Sequence, residues 1–309
     1  MSKGPINDTS IAMKVLVIGA TGYVGSHIVR RLVQDGHDVS GTARAPSKAG
    51  SIEELGARPI LADLDRPETL DEALTDADAI VYAAQLLLEP EHQAMSALTA
   101  CLAGSGKSLL FTSGTGVLSQ KTDGDWSEDS FAEDDQFVPS KWLGRRVETE
   151  RLVREAAGRD VRAMVVRPPM IWGNGGCGLI EAFYDSAHKT GDVCYLGRGL
   201  NLYSNVHVED LAGVYALALD RGVSGALYHA VAGEVPHRVL AERVARELGC
   251  GVRSVGFEEA EAIWGKFLAL IIMSTCSRSR APRTRRELGW APCHLDMLSD
   301  VPHPAYRAG

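Results

Sequence analysis

The 309-residue chain has no long apolar run. Spanning a bilayer takes roughly 20 consecutive apolar residues. The best candidate, IWGKFLALIIM at 263–273, is too short and reads as a buried helix. The N-terminal MSKGPINDTSIAM lacks the apolar segment of a signal peptide, so a cytoplasmic location is expected. Six cysteines (101, 177, 194, 250, 276 and 293) form no CxxC pair and no dense frame. That excludes a zinc ribbon or a stapled secreted scaffold, leaves reduced thiols, and gives no metal site to expect. Basic charge is also short. The net charge of −8 argues against general affinity for nucleic acid or an anionic membrane, and SRSRAPRTRR near the end reads as a solvated C-terminal face. Lysine is scarce, eight against 24 arginines, which makes a lysine at a motif position notable. What remains is ordinary for a soluble globular protein: 45% hydrophobic and 23% charged residues, enough for one large domain or a domain with an appended lobe.

The first half alternates. KVLVIGA, DVSGTAR, RPILADL, AIVYAAQ, SLLFTSG and VRAMVVRPP are short apolar runs of strand type. Between them lie helical stretches, YVGSHIVRRLVQDG, RPETLDEAL, HQAMSALTACLAG and KWLGRRVETERLVREAAG. Strands alternating with helices predict a doubly wound α/β fold with a parallel sheet covered on both faces. The second half is less patterned, with helices expected over 210–220, 237–248 and 258–275. The expected division is a flexible N-terminus at 1–12, a dinucleotide-binding domain at 13–175 and mainly a small substrate lobe at 176–309, some of whose segments return to the sheet.

GATGYVG at 19–25 places Gly19, Gly22 and Gly25 between a strand and a helix. Glycine lets the turn adopt positive φ and lets backbone approach a pyrophosphate at the helix N-terminus. The motif makes Gly19, Thr21, Gly22, Tyr23, Val24 and Gly25 candidate cofactor contacts; the alternative is a tight turn with no ligand. An NAD site usually carries an acid at the end of the second strand to hold the ribose. Here the chain runs GTARAPSK, and the nearest acids, Asp38 and Glu53, lie at the strand start and well beyond its end. Arg44, with Ser47 and Lys48 behind it, either accepts a 2′-phosphate or is a surface residue, and the local chemistry favours NADP(H).

These motifs, with ADL at 62–64, FTSGTGV at 111–117, VVRPPMIWGNG at 165–175, SNVHVEDLAGVYALAL at 204–219 and RRELGWAP at 285–292, resemble the extended or atypical short-chain dehydrogenase/reductases of the epimerase/dehydratase and dihydroflavonol-reductase kind. The resemblance covers nearly the whole chain. It implies a Rossmann sheet with a small C-terminal substrate lobe, a small-molecule substrate and a homodimer. It also implies that Asp63 and Leu64 meet the adenine, that Ala83 and Ala84 line the nicotinamide-side ribose, and that Pro168 lies near the nicotinamide.

Such families use a Ser or Thr, a Tyr and a Lys. By the resemblance Phe137 stands where the tyrosine would, four residues before Lys141, and no tyrosine lies between Tyr82 and Tyr184. The usual hydroxyl falls on Gly114, flanked by Ser113 and Thr115, which should point away along an alternating strand. Phenylalanine neither donates nor accepts a proton. Two functions therefore stay open. One is an NADP(H)-dependent oxidoreductase on a carbonyl or alcohol, with Ser113, Thr115 and Lys141 as candidate catalytic groups, Lys141 either also holding the ribose or standing as a solvated helix lysine, and Tyr184, Tyr203 and His207 as more distant proton sources. The other is a non-redox lyase, isomerase or cyclase, or an NADP(H)-sensing protein. His207 reads more readily as a packed or capping residue. The acidic stretch DGDWSEDSFAEDDQF at 123–137 reads either as a substrate cover using Trp126 and Phe131 or as a solvated loop. GNGGCG at 173–178 reads as a flexible segment able to open and close the pocket.

Overall fold

The structure, a computed structural model, describes residues 12–64, 66–139 and 142–307. It opens with β1 (Lys14–Ile18), α1 (Tyr23–Gln34), β2 (Asp38–Ala43), α2 (Ala49–Glu53), β3 (Arg58–Leu61), α3 (Asp71–Asp76) and β4 (Ala79–Tyr82). Next come α4 (Leu88–Cys101), β5 (Ser108–Thr112), the two-residue β6 (Gln120–Lys121), α5 (Gly144–Glu155), β7 (Arg162–Arg167) and β8 (Met170–Trp172). Seven parallel strands form the main sheet in the order β11-β7-β5-β4-β1-β2-β3, with β11 at Leu227–His229. This is the Rossmann-type α/β fold the alternation predicts.

The strands read as continuous apolar runs because both faces are covered. In β1, Val15 and Val17 join a core with Ile28, Val29 and Leu32 of α1, whereas Leu16 and Ile18 join Met95 and Leu98 of α4 and Val153 of α5 on the other face. A period of two thus sends successive side chains into two separate cores.

The chain continues through α6 (Gly178–Thr190), β9 (Val193–Leu196), β10 (Leu202–His207), α7 (Val208–Arg221), β11, β12 (Gly233–Pro236), α8 (His237–Leu248), β13 (Val252–Val255), α9 (Phe257–Leu268), β14 (Thr275–Cys276) and α10 (Pro282–Leu288). Leu211 and Tyr215 of α7 share the first core with α1, so α7 returns to the main sheet. Phe183 and Tyr184 of α6, Leu240 and Val244 of α8 and Ile263 of α9 form a third core. Small sheets of order β12-β10-β8 and β13-β9 lie among these elements.

Three sequence expectations need correction. First, 258–275 is not one buried helix. Gly265 breaks α9 with φ 79° and ψ 156°, a π-turn over Ala269–Met273 follows, and Phe267 is 76% exposed. Second, the acidic stretch neither covers a cleft nor floats in solvent. It docks on the basic segment taken for a solvated face: Phe131 N donates to Arg278 O at 3.1 Å, Arg280 N donates back to Phe131 O at 2.8 Å, and Arg280 pairs with Asp135 at 3.0 Å. Glu133 accepts from Arg283 N, Thr284 N and Thr284 Oγ1, capping α10. Opposite charges far apart in sequence neutralise one another here, which no local pattern reveals. Third, GNGGCG is tied down. Tyr23 Oη donates to Gly173 O at 2.6 Å, and Asp300 accepts from Gly173 N, Gly175 N and the Tyr306 hydroxyl.

Candidate functional site

Along the C-terminal ends of the main strands runs a cleft of about 830 Å³. At one end the glycine loop carries Gly19 at φ 91°, in the left-handed region, where a Cβ would stand 2.6 Å from Ala84 N. A Cβ on Gly25 would stand 2.1 Å from Gly19 O, so helix and loop pack against each other through bare backbone. Gly22 caps α1, whose first turn holds no acidic side chain, and Gly19, Thr21, Gly22, Tyr23 and Val24 all line the cleft. Unpaired N–H groups at such a helix start favour an anion. Gly25 lies beneath them, off the cleft.

Arg44, Leu64, Ala83, Ala84 and Pro168 also line it, whereas Asp63 does not. Arg44 is exposed and makes no ion pair with a described residue; neither Asp38 nor Glu53 lines the cleft. Lys141 lies outside the described residues.

The catalytic candidates separate. Ser113 and Thr115 both line the cleft, but Ser113 Oγ donates at 2.5 Å to the buried Glu150. Glu150 in turn pairs with Arg167, and both are buried. Arg167 approaches His229 Nε2 at 3.4 Å, while burial first and the Arg167 charge second push His229 down to about 4, leaving it neutral. Thr115 is fully buried and its Oγ1 has no hydrogen-bond partner among the described residues. Phe137 does not line the cleft. Its ring lies 5.1 Å from the Arg167 guanidinium and packs edge-on to Phe131, so it shields the buried ion pair rather than facing a substrate.

Tyr203 lines the cleft, and burial raises its phenol pKa, keeping the proton on. Tyr184 instead donates to Val301 O at 2.8 Å in the lobe. His207 caps α7 by accepting from Glu209 N at 3.2 Å and stacks on His294 at 4.0 Å. His207, Glu209 and His294 bring three ligand atoms within 4.8 Å of one another, and none of the three lines the cleft.

The sequence reading missed a pair in the cleft wall. Glu91 of α4 is 1% exposed and accepts from Arg146 of α5 at 2.9 Å, yet Glu91 Oε1 and Arg146 Nε have no partner among the described residues. Burial pushes the Glu91 carboxyl up to about 7, against the pull of Arg146. Neither residue stands in a motif, and their meeting depends on α4 packing against α5.

The model of the NAD dependent epimerase/dehydratase family matches residues 15–231. The chain belongs to that family. It is therefore an enzyme of the short-chain dehydrogenase/reductase type, with an NAD(P)-dependent oxidoreductase or dehydratase function. An uncharacterised protein of Schizosaccharomyces pombe is 30% identical over 95% of this chain and 100% of its own length. The 2-alkyl-3-oxoalkanoate reductase of Stenotrophomonas maltophilia is 26% identical over 77% of this chain and 76% of its own. The dTDP-glucose 4,6-dehydratase of Streptomyces venezuelae, solved with NAD bound, superposes with a TM-score of 0.75 at 22% identity, covering 96% of this chain and 97% of that one, a likeness of fold. Among the described residues no helix is long and apolar enough to cross a membrane.

Proposed function

We propose that the protein is an NADP(H)-dependent oxidoreductase acting on the carbonyl or alcohol group of a small organic substrate. The observation that carries the cofactor preference is Arg44, exposed at the cleft edge just after β2, where an acid would otherwise hold the ribose. A planar cation there suits a 2′-phosphate. The glycine loop fits the dinucleotide, since its close backbone contacts leave α1's first N–H groups open to the cleft. When bound, the dinucleotide supplies the hydride. The hydroxyl assigned to the substrate oxygen is Thr115 Oγ1, which lies in the cleft wall without a described partner but closed off from solvent, so the wall must yield for the two to meet. Tyr203 stays protonated beside the same space, and Glu91 is the group in the wall that exchanges a proton near neutral pH.

Calorimetric titration tests the reading. NADPH is expected to bind about tenfold or more tighter than NADH, the worth of one charge-assisted contact. Arg44→Ala should erase most of that difference. Equal affinities in the wild type would remove the NADP(H) assignment. Product formation without net NADPH oxidation would favour the non-redox alternative, to which the position of Phe137 off the cleft lends support.

A further inference from the structure

The cleft's two ends differ in chemistry. In the main sheet β2 and β7 are four strands apart, roughly 19 Å at the usual strand spacing. Arg44 follows β2; Pro168 to Ile171 follow β7. A dinucleotide seated on the glycine loop occupies the first end, so a substrate meets it at the second. That second end is mainly apolar: Val117, Leu143, Met170, Ile171, Ile271 and Ile272 line the cleft there, with Thr115 and Tyr203 among them.

Charge is confined elsewhere. Among the described lining residues the acidic and basic side chains are Arg44, Glu91 and Arg146. Arg44 stands at the β2 end, and Arg146 gives one N–H to Glu91 and keeps its Nε without a described partner. One partly engaged guanidinium is a poor match for a diphosphate's two charges, and a buried anion with too few partners is strongly disfavoured. The rim carries the same character. Leu87, Trp142 and Phe267 line the cleft, yet they are 81%, 54% and 76% exposed. Two of these, Leu87 and Phe267, are large apolar side chains more than three-quarters exposed at one opening, and such a rim marks a surface that a ligand covers. The break at Gly265 and the π-turn after α9 set Phe267, Ile271 and Ile272 at that opening.

We propose that the substrate is an uncharged, mainly hydrocarbon carbonyl compound or the corresponding alcohol, not a nucleotide-linked sugar. Its oxygen meets Thr115 and its chain lies along the segment after Gly265. This rests on the oxidoreductase reading for the word carbonyl, while the apolar class rests on the lining alone.

The test is calorimetric binding of straight-chain 2-alkanones, butanone to 2-undecanone, to the protein with and without NADP+. Each added methylene should tighten binding by about three- to fourfold until the cleft is filled. Phe267→Ser, at an exposed position that folding does not depend on, should flatten the upper part of the series; Ile272→Asn should flatten more of it. UDP-glucose should bind more weakly than 2-nonanone. Affinity independent of chain length, or tighter binding of UDP-glucose, would overturn the apolar class. Absorbance at the NADPH band with 2-nonanone separates the two readings. Length-dependent binding without NADPH oxidation would overturn the oxidoreductase reading and leave the apolar class standing. NADPH oxidation with a UDP-linked keto sugar and a flat alkanone series would do the reverse.

Discussion

Glu91 shows how one side chain can work against the stability of its own fold. Its carboxyl is almost fully buried, only one oxygen is paired, and its pKa stands near 7 rather than the ordinary 4.5. A carboxyl whose folded pKa is raised binds its proton more tightly in the folded state. Its stabilising contribution is complete below about 4.5 and is lost as pH rises to about 7, opposite to a salt-bridged surface acid. The charged groups that set this are Arg146 and Glu150 on α5, with Tyr82 on β4 close enough to feel the carboxylate. Glu91→Gln should therefore remove a fall in melting temperature between pH 5 and 8, and with it a pH-dependent limb of turnover near pH 7. Superimposable melting curves for the two proteins would refute this. Glycine acts at the same scale: Gly19 and Gly25 are required because any Cβ would drive the loop off β4 or off its helix.

Among the elements, α5, β7 and β11 are joined by a buried polar chain from Ser113 through Glu150 and Arg167 to His229, whose Nδ1 lies 2.9 Å from Arg280 O. Removing one partner of a buried pair strands the other. Arg167→Met should cost about 3–5 kcal/mol in urea unfolding. Adding Glu150→Leu should recover most of that loss, because two apolar groups need no partner; additive losses would contradict the account. Elsewhere α10 depends on a distant cap. Glu133→Ala should destabilise by about 1–2 kcal/mol, at the upper range for a lost cap. Amide exchange should speed up together in 127–135 and 277–288, and a change confined to one segment would argue against the docking described above.

At the level of the whole molecule, the loop, Arg44 and the cleft wall come from different parts of one sheet edge, so a dinucleotide bound as proposed would tie them together. NADPH at about 100 times its dissociation constant should stabilise the protein by about 2.7 kcal/mol, seen as a rise of several degrees in melting temperature. Gly19→Ala, strained at φ 91° and facing Ala84, should abolish the rise. An unchanged rise would mean that the nucleotide sits elsewhere.

The sequence by itself determined the Rossmann-type sheet, the glycine loop and Arg44, because these depend on local rules: period-two apolar runs, helix periodicity, and glycine where backbone must turn or touch. The glycine loop and Arg44 at one end of the cleft were legible for that reason. Tertiary structure alone decided which hydroxyl stays free. Ser113 and Thr115 are two residues apart, yet one meets Glu150 and the other meets no described partner. It decided too that Phe137 faces Arg167, that Glu91 meets Arg146 across two helices, and that the acidic stretch docks on SRSRAPRTRR. Burial and pairing of charge belong to neighbours brought together by packing, and in these cases the partners lie from 30 positions apart (Phe137 and Arg167) to 151 (Glu133 and Thr284) along the chain. A spacing rule reads one helix or one strand; desolvation and Coulomb terms act between them.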